Sequence, residues 1–178
     1  NTEGVLEFDG VSWRKTVIPN RSVIRSIEAD SSGRIYVGGS GDFGFLAFDS
    51  LGSTIFVSLK NKIPSEHRKF NDIWKILASE YGIYFIGPRK TFLYRHDTIK
   101  VIPIEVMPKI AFRIHDNIFT VDRKRGLMVI KNDSLIELPD NGIFKKRFRR
   151  YTLLPFKNDQ MLICTQKLGF FLYDLKNF

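Results

Sequence analysis

The sequence predicts an all-β protein made of repeated four-stranded units, and three observations predict it. Short runs rich in Ile, Val, Phe, Tyr and Thr alternate with Gly, Asp, Asn and Ser roughly every eight to twelve residues, the punctuation of short strands rather than helices. No stretch carries an apolar stripe at i, i+3, i+4 and i+7 over a dozen residues. One pattern also returns at a period of roughly 40–50 residues: a strand, an Asp/Gly turn, a strand rich in Ile, Tyr and Phe, a short strand on Gly-aromatic-Leu, and a closing strand. A repeat of that length with four short strands marks a β-propeller blade. Propellers usually serve as binding platforms, so the repeat points toward recognition rather than chemistry.

The units follow in order. Residues 4–19 read as a half unit: a third strand over 5–9 and a fourth over 12–18, joined through Asp9-Gly10. Residues 22–64 are the clearest copy, with strands over 24–30, 33–38, 44–49 and 54–59. Within it, Asp30-Ser31-Ser32-Gly33 is a hairpin connection whose glycine accepts positive φ. The run Gly38-Gly39-Ser40-Gly41-Asp42-Phe43-Gly44 lies between two strands, and no helix follows whose N-terminus would hold a phosphate, so it reads as a tight turn. Residues 70–104 repeat the pattern with strands over 72–77, 82–87, 91–95 and 98–103. Residues 109–139 do so with strands over 110–114, 117–121, 126–130 and 134–138. Residues 149–178 hold strands over 151–154, 161–165 and 169–174, one short of a full unit. The best helical candidate is 66–77, with Pro64-Ser65 to start a turn near 65–69. Strand phase assigns Ile27, Ile35, Val37, Leu46, Ile76, Phe85, Leu93, Ile114 and Leu127 to blade cores.

Composition fits this plan. The chain is 43% hydrophobic and 13% aromatic, with 16 Phe, as expected where both faces of a blade pack on neighbours. At 178 residues it can bury about two-thirds of its unfolded surface. No apolar run reaches the roughly 18–20 residues of a membrane helix. There is no visible signal peptide and no starting Met. Because the pattern opens inside a unit, the chain is expected to be a piece of a longer protein, an incomplete propeller whose open blade faces favour self-association, such as a homodimer. Closure of four blades with residues 12–18 as the missing strand is the alternative.

The charge is basic, 28 Lys and Arg against 19 Asp and Glu, formally +9. The densest cluster is Lys145-Lys146-Arg147-Phe148-Arg149-Arg150, between Phe144 and Tyr151. Such a run with aromatics beside it suits an exposed connection between blades, an anionic glycan or other acidic partner, or nucleic acid through phosphate contact and stacking. The other cations are scattered, which speaks against a dedicated nucleic-acid face. Cys164 lies in an apolar strand, far in sequence from any His that could activate it, and reads as a buried inert thiol. His67, His96 and His115 lack metal-ligand spacing and read as loop or edge residues. No G-x-S-x-G, H-E-x-x-H or phosphate loop occurs, and no metal or cofactor is expected. The acids Asp9, Asp30, Asp49, Asp116 and Asp133 fall in turns, as turn formers. A propeller lyase or glycosidase would need carboxylates, His or Tyr converging on one face, so the chain is not expected to be an enzyme. The ligand-facing candidates are polar or aromatic residues at strand ends: Arg25, Trp74, Arg89, Lys90 and Arg113. Arg25 and Arg113, both in first strands, are expected to line a common central channel. Trp74, read as mid-strand, also suits blade-to-blade packing.

These residues carry a family resemblance. Residues 4–14 resemble the G-x-x-x-F-D-G-x-x-W element of the two-component regulator propellers. So do Val23-Ile24-Arg25-Ser26-Ile27 with Asp30 and Gly33-Arg34-Ile35-Tyr36-Val37-Gly38, Asp42-Phe43-Gly44-Phe45-Leu46, and Phe70-Asn71-Asp72-Ile73-Trp74-Lys75-Ile76 followed by Gly82-Ile83-Tyr84-Phe85. The likeness covers residues 4 to about 104 and fades beyond. It implies the periplasmic sensor region of a membrane-anchored hybrid two-component protein, of the kind found mostly in Bacteroidetes-type bacteria. Seven-bladed propellers there precede a tyrosine-bearing β-sandwich, a membrane helix and a kinase or DNA-binding output domain. Many members sense oligosaccharides released from glycans. The implied partners are an oligosaccharide or similar small ligand, the remaining blades and the output domain, with no nucleic acid and no membrane contact by this segment. A protein-interaction platform without a small ligand is the other reading. Four blade-equivalents are about half of the family's ring.

Overall fold

The computed structural model describes residues 3–104, 106–122, 124–131, 133–140, 142–144, 151–157 and 159–176. Among them the chain forms five antiparallel meander sheets in chain order, the arrangement of β-propeller blades. The first sheet has two strands, β1 (Gly4–Phe8) and β2 (Trp13–Val17). The first full blade holds β3 (Ile24–Ala29), β4 (Ile35–Gly39), β5 (Phe43–Phe48) and β6 (Thr54–Ser58). The second holds β7 (Lys75–Ser79), β8 (Gly82–Ile86), β9 (Lys90–Arg95) and β10 (Thr98–Pro103). The third holds β11 (Val106–Ile114), β12 (Asn117–Asp122), β13 (Gly126–Lys131) and β14 (Ser134–Glu137). The last sheet has β15 (Tyr151–Phe156), β16 (Gln160–Thr165) and β17 (Gly169–Asp174).

Short turns built on carboxylates close the first sheet and the first full blade. Asp9 accepts from the Val11 and Ser12 amides, Asp30 from those of Ser32 and Arg34, and Asp49 from those of Leu51 and Ser53. His96 and Asp97 both take positive φ, so the β9–β10 hairpin is a two-residue mirror-image turn that matches strand twist. His115 likewise sits in a turn at positive φ.

The sheets stack through three apolar layers, while successive first strands β3, β7, β11 and β15 pack side by side. Between the first and second full blades lie Tyr36, Phe43, Ile76, Phe85 and Phe92, with the Phe43 and Phe85 rings stacked 4.2 Å apart. Leu77, Tyr84, Ile86 and Leu93 meet Ala111, Ile118 and Ile130 in the next layer. Phe119, Val121, Leu127 and Val129 meet Leu153, Met161 and Ile163 in the third.

Two single 3-10 turns, Lys60–Lys62 and Ser65–His67, carry the chain while Leu59, Ile63 and Ile73 drop into the core, so the turn considered near 65–69 is present and the stretch 66–77 holds no longer helix. Three expectations are corrected. The strand expected over 72–77 starts at Lys75, because the preceding residues bond back to the first blade. Asp72 bridges Ser40, the Ile73 amide donates to the Gly39 carbonyl, and the Ser26 hydroxyl donates to the Ile73 carbonyl. Trp74 therefore sits at the entrance of the strand, half-buried, not in its middle. Val37, Ile76, Phe85, Leu93, Ile114 and Leu127 are buried as expected, but Ile27 and Ile35 are exposed and Leu46 is only half-buried. All three share the face of the first full blade turned toward the two-stranded sheet, which is too small to cover it. Cys164 is half-buried rather than buried.

Candidate functional site at the loop end of the blades

A four-stranded meander places its connections at two ends. The turns between first and second, and third and fourth, strands share one end. The turns between second and third strands share the other with the segments that pass from blade to blade. The carboxylate turns of Asp30, Asp49, Asp97, Asp116 and Asp133 lie at the first end. The second end is cationic: Arg21, Lys60, Lys69, Arg89, Lys90, Lys124 and Arg125 fall in its connections or at the strand ends beside them.

Four of the five candidate residues gather there around Asp72. The Arg25 guanidinium lies over the Trp74 ring, 4.7 Å from its centroid, with its Nε 3.6 Å from Asp72 Oδ1. Asp72 in turn lines a groove of about 190 Å³ with Lys69, Phe70, Asn71, Arg89, Lys90 and Phe92. The half-buried Phe70 provides an apolar wall beside a rim of cations and one amide, and the fully buried Phe92 backs it, with the two centroids 5.0 Å apart. Arg89 is exposed and also borders a second hollow of about 390 Å³ with Pro103, Ile104, Asp122, Lys124 and Arg125. Backbone bonding holds this rim: the Gly87 amide donates to the Lys90 carbonyl and the Ile104 amide to the Arg89 carbonyl.

The acids at this end are already engaged. Burial works to raise the Asp122 carboxyl, but the Lys124 and Arg125 amides and the Arg125 guanidinium at 3.2 Å together hold it below its ordinary value. Asp42 is buried, and burial pushes its carboxyl up although the Ser58 hydroxyl and Phe43 amide both donate to it. The cations that line the groove thus outnumber the carboxylates available to an incoming ligand.

Arg113 lies apart. It is exposed on β11 one residue before the turn to β12, near the acidic end, whereas Arg25 opens β3 at the cationic end. Its neighbour Phe112 receives the Lys75 ammonium 4.5 Å from the ring centroid, and burial lowers that lysine below its usual value. The cluster Lys145, Lys146, Arg147, Arg149 and Arg150 lies outside the described residues. Sequence reasoning missed Lys69, Phe70 and Asp72 as partners of Arg89, although the segment preceding Trp74 had been singled out. No group of His, Cys, Asp and Glu suited to a metal occurs among the described residues.

No protein-family model and no curated protein sequence matches the chain. Solved structures do. The chain is similar to the WD40 β-propeller domain of Doa1, with a TM-score of 0.56 at 11% identity, over 97% of this chain and 57% of that one. It is also similar to the computationally designed Ika4 protein, with a TM-score of 0.53 at 11% identity, over 87% of this chain and 92% of that one. The chain thus spans little more than half of the Doa1 domain. At such identity the likeness establishes the fold, and the fold is that of β-propeller blades.

Proposed function

We propose that this chain is a ligand-binding propeller segment of a periplasmic two-component sensor, and that it recognises an acidic oligosaccharide at the cationic loop end. The observation that carries this reading is the groove in which the half-buried Phe70, backed by the buried Phe92, stands beside Lys69, Arg89, Lys90 and Asn71. Sugar rings pack their C–H faces on aromatic walls. Guanidinium and ammonium groups pair with uronate or sulfate, the planar Arg fork giving two parallel bonds to a carboxylate. Pockets of this composition bind and orient ligands through a few placed polar groups. The sensor context rests on the resemblance of residues 4–104 to the two-component regulator propellers. On this reading the chain binds its ligand without turning it over.

The test is a thermal-shift and calorimetric screen with matched neutral and uronate-bearing oligosaccharides. Acidic members should raise the melting temperature, and Arg89→Ala should weaken their binding about tenfold or more. Equal responses to neutral and acidic glycans would overturn the acidic specificity. No response to any glycan, with a protein captured from periplasmic extract through the same face, would replace the reading by a protein-interaction platform.

A further inference from the structure

Two hollows at the cationic end meet at one residue. Arg89 lines both the groove of about 190 Å³ beside Phe70 and the hollow of about 390 Å³ bordered by Ile104, Asp122, Lys124 and Arg125. The repeat explains the second hollow. Arg89 stands in the connection from β8 to β9, the second and third strands of the second full blade. Lys124 and Arg125 stand in the connection from β12 to β13, the same strands of the third. The segment that enters the second blade, 69–73, borders the first hollow, and Pro103 and Ile104, where the chain leaves that blade for the third, border the second. The two hollows are therefore one position of the repeat, present in consecutive full blades.

Both positions carry cations beside an acid that is already engaged. In the first, Lys69, Arg89 and Lys90 stand near Asp72, whose Oδ1 lies 3.6 Å from Arg25 Nε. In the second, Arg89, Lys124 and Arg125 stand near Asp122, which is 4% exposed. Asp122 accepts from the Lys124 and Arg125 amides and lies 3.2 Å from the Arg125 guanidinium. Lys69, Arg89 and Lys124 are exposed. The backbone on both sides of Arg89 is tied down. The Gly87 amide donates to the Lys90 carbonyl at 3.0 Å, and the Ile104 amide to the Arg89 carbonyl at 3.2 Å. The fold itself thus sets how far apart the two groups of cations stand.

We propose that the two hollows are adjoining subsites for one linear polyanionic glycan, each taking an acidic sugar unit, with Arg89 shared between them. This rests on the acidic-oligosaccharide reading above and adds a minimum ligand to it: a chain long enough to run from one blade to the next. A single acidic sugar reaches one hollow. A chain held in one hollow presents its next anion to the other at high effective concentration, so affinity rises steeply with length. The guanidinium of Arg89 has five donors in a planar fork and can serve an acceptor on either side.

The probes are galacturonic acid and its linear dimer, trimer and tetramer, titrated into the full chain by calorimetry at fixed ionic strength. The tetramer should bind one-to-one and about fiftyfold or more tighter than the monomer, beyond the few-fold gain of offering several copies of one unit to a single site. Lys69→Ala in the first hollow and Lys124→Ala in the second should each remove about tenfold or more of that gain. Arg34→Ala, an equal loss of charge at the opposite end of the first full blade, should leave it in place. The melting temperature of each variant, measured alongside, shows that it is folded. A tetramer that gains only the few-fold factor over the monomer, or a gain that survives Lys124→Ala, would overturn the shared subsites and leave the acidic-glycan reading standing. Failure of every uronate probe to bind would overturn both.

Discussion

Tyr151 shows how one atom departs from the pattern of its neighbours. The hydroxyls of Tyr36 and Tyr94 donate to Asp30 and Asp97, but the buried Tyr151 hydroxyl has no partner among the described residues. Burial alone raises its pKa, so it stays neutral at any working pH. An unsatisfied buried hydroxyl costs roughly 1–3 kcal/mol. Tyr151→Phe keeps the ring contact with Phe144 and is expected to gain about 1 kcal/mol in urea unfolding; a loss of stability would show that the hydroxyl is bonded. Asp42 offers a pH test. Burial raises its folded pKa above the ordinary 3.8. The folded state thus holds the proton more tightly than the unfolded one, and this contribution is present below pH 3.8 and lost as pH rises through the folded value. Asp42→Asn cannot titrate, so the stability difference between the parent and this variant should fall as pH rises across that window. A flat difference in melting temperature from pH 3 to 7 would contradict the assignment.

At the scale of elements, close strand approach decides more than side-chain identity. Gly44 lies in β5 opposite Ser58, where any Cβ would run into the Val57 carbonyl oxygen. Gly44→Ala should therefore cost more than about 2 kcal/mol through displacement of β6; thermal unfolding measures it. The fold was legible because each strand carries its own local signals, and the Asp turns work as read: Asp30 takes four hydrogen bonds within six residues. The site was legible only in part. Arg25 and Trp74 were singled out, but their meeting over Asp72 depends on a bridge from Asp72 to Ser40, a pairing between blades that no local pattern announces. For the same reason Trp74 looked mid-strand: sequence alternation continues through 72–74, while the backbone of Asp72 and Ile73 bonds to the first full blade and the strand pairing begins beyond them.

The whole molecule settles what strand phase cannot, namely whether a core position has a neighbour to bury it. Ile27 and Ile76 are the same residue at the same place in two blades, and by pattern alone both are core. One faces a complete blade and the other an outer pair of strands. Burying an isoleucine fully contributes a few kcal/mol only if the opposing surface is present. Ile76→Ala is thus expected to destabilise by about 2–5 kcal/mol through lost transfer energy and a cavity beside Phe85. Ile27→Ala, on a face open to water, should change stability by no more than about 0.5 kcal/mol. The pair is measured by urea unfolding under one set of conditions, with each variant's transition fitted at the parent's slope. Equal losses at Ile27 and Ile76 would mean that something covers the Ile27 face in solution, and the exposed face of the first full blade would have to be reassigned as an occupied interface.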